Sequence, residues 1–169
     1  MRLFLAVLPD DNIRQALLDA QDALRQRHYT GRYTAAHNLH LTVRFIGEYS
    51  DTDAVLEQMA QSRFAPFPLT LSGCIGNFGN LLWAGTAQSP ALLQYEKQLR
   101  HLLAEAQIPF DRKRFHPHIT LLREAAGGRP FSDIAVAGAS MTVRCISLMR
   151  SDFGRHGAQY TEIGCAEAD

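Results

Sequence analysis

His40-Leu41-Thr42-Val43 and His118-Ile119-Thr120-Leu121 are the same short pattern, 78 residues apart, each inside an apolar, β-branched run. Both runs read as strands, Leu39 to Ile46 closed by Gly47 and Phe115 to Leu122. Successive side chains of a strand point to opposite faces, so residues two apart share one. His40 therefore shares a face with Thr42, and His118 with Thr120, while Leu41, Val43, Ile119 and Leu121 turn toward a core. A single His-x-Thr is more often a satisfied structural histidine than a catalyst. Two copies at near half-chain spacing point to a duplicated layout. If the strands lie side by side, or about a pseudo-twofold axis, two imidazoles and two hydroxyls converge on one cleft.

The chain around the repeat alternates strands and helices. Leu3 to Leu8 reads as a buried strand stopped by Pro9, and the next segment places Ile13, Ala16, Leu17, Ala20 and Leu24 on one helical face, with Asp10 or Asp11 as cap. Arg27 to Ala36 is polar and reads as a loop. A second helix is expected after Asp51, with Val55, Leu56 and Met59 inward. Phe67 to Gly73 and Leu81 to Gly85 flank the turn-rich run Gly76-Asn77-Phe78-Gly79-Asn80 and form a hairpin. Ser89-Pro90 starts a third helix to about Gln107, with Leu92, Tyr95, Leu99, Leu102, Leu103 and Ala106 as its stripe. A long strand from Ser140 to Met149 and a short one near Gln159 to Ile163 complete the order. It predicts an α+β fold of mixed, mostly antiparallel sheets flanked by helices.

Length and composition narrow the function classes. At 169 residues, 46% hydrophobic and 20% charged, the chain reads as one packed domain, residues 1–169, rather than a rod or a disordered tail. Seventeen basic and seventeen acidic residues balance, so no long phosphate-tracking groove is advertised and any nucleic-acid contact must be local. The first apolar run, Leu3 to Leu8, is too short for a signal-peptide core or a membrane span, and a cytoplasmic protein is expected. Cys74, Cys145 and Cys165 form no C-x-x-C pair and read as unpaired thiols, Cys145 as a core residue.

Two histidines with two small hydroxyls suit in-line displacement at phosphorus. One imidazole takes a proton from water and the other protonates the leaving oxygen, tasks that a pKa of about 6.5 fits. Threonine hydroxyls and a nearby arginine can hold the non-bridging oxygens. The scheme requires no metal and no cofactor.

Asn38-Leu39-His40-Leu41-Thr42-Val43-Arg44-Phe45-Ile46-Gly47 and Phe115-His116-Pro117-His118-Ile119-Thr120-Leu121-Leu122-Arg123 resemble the paired His-x-Thr-x motifs of the two-histidine (2H) phosphoesterase superfamily. More narrowly they resemble the bacterial RNA 2′,3′-cyclic phosphodiesterases, also called 2′-5′ RNA ligases, and Arg2-Leu3-Phe4-Leu5-Ala6-Val7 is similar to that family's first strand. The resemblance implies a bilobal, pseudo-symmetric fold with a central cleft, in which residues 1–169 form one catalytic domain of two lobes. It also implies hydrolysis of RNA ends, or of small cyclic-phosphate nucleotides, from a 2′,3′-cyclic phosphate to a 2′-phosphate. His40 would be the proton donor and His118 the proton acceptor. Thr42, Thr120 and Arg123 would bind the phosphate, and the same chemistry in reverse would join 2′-5′ ends. No membrane and no obligate protein partner is implied. Arg123 stands three residues beyond Thr120, so ideal alternation turns it to the wrong face unless a bulge re-aims it.

Other candidates read more plainly. His116-Pro117-His118 could suggest a metal fork, but no third ligand stands at a helical spacing, and His116 reads as a loop or supporting residue. His28, His37, His101 and His156 read as surface or loop residues. Arg112-Lys113-Arg114 is either a phosphate-gathering patch or a solvated loop. Alternation puts Phe45 opposite His40, favouring a core role, and Arg44 on the His40 face as a substrate contact or a solvent-facing edge residue. A competing function, a non-catalytic RNA-end or nucleotide-binding module, would use the same cleft.

Overall fold

A computed structural model describes all of residues 1–169. The strands are β1 (Arg2–Val7), β2 (Tyr29–Tyr33), β3 (Leu41–Glu48), β4 (Phe67–Phe78), β5 (Leu81–Thr86), β6 (His118–Gly127), β7 (Ser140–Val143), β8 (Cys145–Gly154) and β9 (Gly157–Glu167). Helices α1 (Asp11–Gln26), α2 (Thr52–Gln61) and α3 (Pro90–Glu105) accompany them. All three helices begin where the sequence places a cap: Asp10 accepts from the Ile13 amide, Asp51 from Ala54 and Ser89 from Leu92.

The strands follow the order β7-β4-β5-β6-β3-β1-β8-β9, with β2 added beside β6, and every pairing is antiparallel. The two halves of this curled sheet meet at one backbone pairing, Leu41 with Ile119, the residues that follow the two motif histidines. Beyond it β3 leaves β6, and β2 takes up the vacated edge through Tyr33 opposite Leu122 and Arg32 opposite Arg123. Two lobes result, with a cleft between them. Each is covered from outside by a helix that follows a strand of the other: α1, after β1, packs on β2 and β6, and α3, after β5, packs on β3. The lobes therefore share one core, to which Leu5, Leu17, Leu41, Leu99, Ile119 and Leu148 all belong.

A bulge interrupts each motif strand at the same place. In β3, Ala6 pairs with Thr42 and Leu5 with Arg44, so Val43 is the extra residue. In β6, Trp83 pairs with Thr120 and Leu82 with Leu122, so Leu121 is extra. An extra residue reverses the alternation beyond it. Two expectations are corrected for this reason. Phe45, expected in the core, is 43% exposed on the cleft side, and Arg44, expected on the histidine face, is buried. The Arg44 guanidinium pairs with the Glu96 carboxylate of α3 and donates to the carbonyls of Asp111 (2.9 Å) and Lys113 (2.7 Å), fixing the loop that leads into the second motif.

Other boundaries also differ from the pattern reading. Tyr29–Tyr33 is a strand rather than a loop; its residues are largely solvent-exposed, so no apolar alternation marks it. The second motif strand starts at His118, leaving Phe115, His116 and Pro117 in the approach loop. The run from Ser140 to Met149 is two strands parted at Arg144, β7 pairing with β4 and β8 with β1. The parity change there turns Ile146 inward and leaves Cys145 exposed instead of in the core, like Cys74 and Cys165. The β4–β5 turn narrows to Gly79-Asn80, α3 ends at Glu105, and β9 is longer than expected.

Removing one member of a buried ion pair leaves the other charge uncompensated. Glu96→Ala is expected to lower unfolding free energy by about 3–5 kcal/mol in urea denaturation. A loss below about 1 kcal/mol would remove Arg44–Glu96 as a structural anchor.

Candidate active site

The cleft has a volume of about 540 Å³, and His40, Thr42, His118, Thr120 and Arg123 all line it. Continuing the antiparallel register one step either side of Leu41–Ile119 sets His40 opposite Thr120 and Thr42 opposite His118. All four side chains then lie on the face away from buried Leu41 and Ile119. Arg123 reaches the same cleft because the Leu121 bulge reverses the strand's parity before it. The Leu121 carbonyl at that bulge is held twice, by the Gln21 side-chain amide of α1 (3.0 Å) and by the Thr34 amide (3.0 Å). Buried Gln21 also donates to the Thr34 carbonyl at 2.8 Å.

Each imidazole is oriented by the carbonyl two residues upstream. His40 Nδ1 lies 2.7 Å from the Asn38 oxygen, and His118 Nδ1 lies 2.5 Å from the His116 oxygen. A carbonyl only accepts, so in both rings Nδ1 carries the hydrogen and Nε2 is the free position. Nε2 of His40 is 3.0 Å from the Thr42 hydroxyl, which donates to the bare nitrogen. The Thr120 hydroxyl lines the cleft while the Thr120 carbonyl accepts from Thr34 Oγ1 at 3.0 Å.

Aromatic rings hold the imidazoles from behind. His40 packs on Phe4 and edge-on to Tyr160, with ring centroids 4.9 and 5.1 Å away. Phe4, Ala6 and Met149 form a small buried cluster under this half of the cleft. His118 packs against Phe78 (5.2 Å) and Trp83 (5.9 Å). Trp83 lies over Gly76, where any Cβ would collide with the indole. The sequence pattern did not single out Phe4, Tyr160, Phe78, Trp83 or Gln21 for the site. Their roles come from pairing across strands and from a helix-to-strand contact, which local spacing does not encode. His116 is exposed at the cleft wall and Phe45 at its floor, and Lys113 and Arg114 line it from the approach loop while Arg112 faces away. His37 is exposed, as expected.

Burial is the main cause that holds both histidines below their ordinary pKa. The carbonyl contacts at Asn38 and His116 oppose it, and the Arg123 charge acts on both rings in the same direction as burial. His118 adds to the depression of His40, and His116 to that of His118. Both rings favour the neutral form, so each can accept a proton, and a bound anion would favour the protonated one. The chain gathers no cluster of three or more His, Cys, Asp or Glu side chains placed to hold a metal ion.

An antiparallel α+β sheet folded into two lobes around two inward-facing His-x-Thr pairs defines a phosphoesterase fold of the two-histidine type. The chain belongs to the 2′-5′ RNA ligase superfamily, whose family model matches residues 9–152. It is 33% identical over 170 residues to the RNA 2′,3′-cyclic phosphodiesterase of Escherichia coli K12, covering 96% of this chain and 93% of that one. It is also 33% identical to the protein of the same name from Thermus thermophilus, covering 96% and 88%. The crystal structure of E. coli LigT complexed with 3′-AMP superposes with a TM-score of 0.81 at 30% identity, over 99% of this chain and 96% of that one.

Arg123→Gln removes a positive charge felt by both rings, so the His40 and His118 titrations followed by NMR are expected to move upward together. An unchanged pair of midpoints would separate Arg123 from the site. The sign also fixes the stability dependence. With folded values below the unfolded value of about 6.5, the contribution of these histidines is fully present above that pH and is lost as pH falls through the folded values.

Proposed function

We propose that this chain is a metal-independent RNA 2′,3′-cyclic phosphodiesterase that opens a terminal cyclic phosphate to a 2′-phosphate. The observation that carries the reading is the pair of half-buried imidazoles, each with Nδ1 tied to a backbone carbonyl, in a cleft that Thr42 and Thr120 also line, with His40 Nε2 3.0 Å from the Thr42 hydroxyl. The names of the E. coli and T. thermophilus relatives, and the 3′-AMP complex of LigT, support it.

In the proposed reaction the cyclic phosphodiester sits between Thr42 and Thr120, whose hydroxyls donate to its non-bridging oxygens, with Arg123 beside them. His118 Nε2 takes the proton of the attacking water and His40 Nε2–H protonates the departing 3′ oxygen, leaving a 2′-phosphate and a 3′-hydroxyl. His40 must be protonated and His118 neutral, two states that burial alone would not separate. The substrate's negative charge favours protonation of the ring nearest the leaving group. Run in reverse, the same exchange of protons would join 2′-5′ ends. The two halves act as one catalytic unit, since each supplies one histidine and one threonine. Three exposed, unpaired cysteines suit a reducing, cytoplasmic compartment, and no helix is long and apolar enough to cross a membrane.

With a short RNA bearing a 2′,3′-cyclic phosphate, release of a 2′-phosphate is expected in EDTA, with a bell-shaped rate profile between pH 5 and 9. His40→Ala and His118→Ala are each expected to lower turnover about 10²- to 10⁴-fold while leaving the fold intact, which a retained cooperative unfolding transition checks. Full activity in either variant would remove the two-histidine mechanism. Binding of the RNA end without turnover would make this a recognition module.

A further inference from the structure

Beyond His40 the cleft opens into a second cavity of about 560 Å³ that shares His40, Phe45 and Arg123 with the first. Its walls carry Arg2, Arg32 and His156, and no Asp or Glu lines it. In a chain with equal numbers of acidic and basic residues, this is a locally positive basin joined to the reaction centre. Arg32 pairs with Glu124 at 3.1 Å. Arg2 and Arg123 take part in no ion pair.

Strand register explains how the basin forms. Arg2 pairs with Ser151, and Ser151 with Tyr160, so all three stand on the face of β1, β8 and β9 that carries Phe4 and looks into the cleft. One step of parity further along β8 lies Phe153, on the same face and 81% exposed, the most exposed large apolar side chain of the protein. The β8–β9 hairpin thus extends a cationic and aromatic surface outward from His40, ending in a ring with little to pack on. Unpaired guanidinium groups alternating with open aromatic faces match single-stranded nucleic acid, whose phosphates need cations and whose bases need stacking platforms.

We infer that this basin is the subsite for the nucleotides immediately upstream of the cyclic phosphate, with Arg2 holding a backbone phosphate and Phe153 stacking a base. The inference rests on the proposed phosphodiesterase reading. The opposite course, over Lys97, Arg100 and Arg112 on the outer side of α3, leads into a cavity that shares no residue with the reaction centre. Arg100 there is bound to Glu96 at 2.7 Å. The hairpin basin, by contrast, shares His40, Phe45 and Arg123 with the reaction centre and presents the exposed Phe153 ring, which is why the upstream strand is assigned to it.

The test compares a nucleoside 2′,3′-cyclic monophosphate, which has no upstream strand, with a trinucleotide ending in the same group. Arg2→Ala and Phe153→Ala are each expected to lower kcat/KM for the trinucleotide about tenfold and to leave the mononucleotide rate within about twofold. The trinucleotide KM is expected to rise with salt more steeply than the mononucleotide KM, and the Arg2 variant to flatten that dependence. Lys97→Ala should change neither substrate. Both variant side chains are exposed, so the fold is retained, which an unchanged unfolding midpoint checks. Equal losses on both substrates, no loss on either, or a loss from Lys97→Ala alone would overturn the inference. If the unaltered protein turns over neither substrate, the phosphodiesterase reading itself fails and the subsite falls with it.

Discussion

The pairing of Leu41 with Ile119 is the contact on which the arrangement of the cleft depends. Two antiparallel strands joined at one pairing have a local twofold axis through it. That axis relates His40 to His118, Thr42 to Thr120 and Val43 to Leu121. The repeat in the sequence is thus a repeat in space because the two copies meet at equivalent residues. Both paired residues are buried in the common core, so the geometry of the polar face is fixed from behind by apolar packing. Slipping the register by one residue would carry every motif side chain to the opposite face, and burial of Leu41 and Ile119 opposes that slip.

The bulges after each threonine add what ideal strands could not supply. By reversing parity they bring a third residue from each strand, Phe45 or Arg123, onto the histidine face. They also expose backbone groups that other elements hold. Gln21 of α1 and the Thr34 amide hold the Leu121 carbonyl, and the Phe45 carbonyl accepts from the Asp111 amide at 2.8 Å. With Arg44 gripping two carbonyls of the same loop, the first motif positions the approach to the second. The exchange of helices between lobes works in the same sense, since neither half can shift without disturbing the helix that covers the other.

These features account for which parts of the molecule could be read from the chain alone. Helix starts were legible because Asp10, Asp51 and Ser89 act on amides three residues ahead, a local interaction. The motif face was legible through alternation, but only as far as the bulge. Alternation carried Arg44 outward and Phe45 inward, both opposite to the structure, because a bulge is set by pairing with a distant strand and leaves no mark in spacing. For Arg123 alternation requires a bulge after Thr120, but nothing in the local spacing marks one, because it is set by pairing with β5. Tyr29–Tyr33 is not legible as a strand because largely exposed side chains carry no hydrophobic period, and alternation places Cys145 inward because the break at Arg144, which shifts parity, leaves no mark in the spacing.

The twofold layout also raises the question of what makes the site directional. Perfect symmetry would leave the acid and the base interchangeable, and a strand could enter from either side. The two copies differ at the positions the bulges expose: an aromatic ring, Phe45, beside the first motif and a guanidinium, Arg123, beside the second. Behind His40 stand Phe4 and Tyr160 on a sheet that continues into the β8–β9 hairpin. Behind His118 stand Phe78, Trp83 and His116, at the end of a hairpin closed by Gly79-Asn80. Past His118 the surface passes to Lys113 and Arg114 of the approach loop, while past His40 it continues onto the β8–β9 hairpin. A strand threaded along that extension presents its terminal phosphate to both imidazoles from the His40 side. On the proposed mechanism, symmetry supplies the pair of proton-transfer groups, and the departures from symmetry set the direction in which a substrate is read.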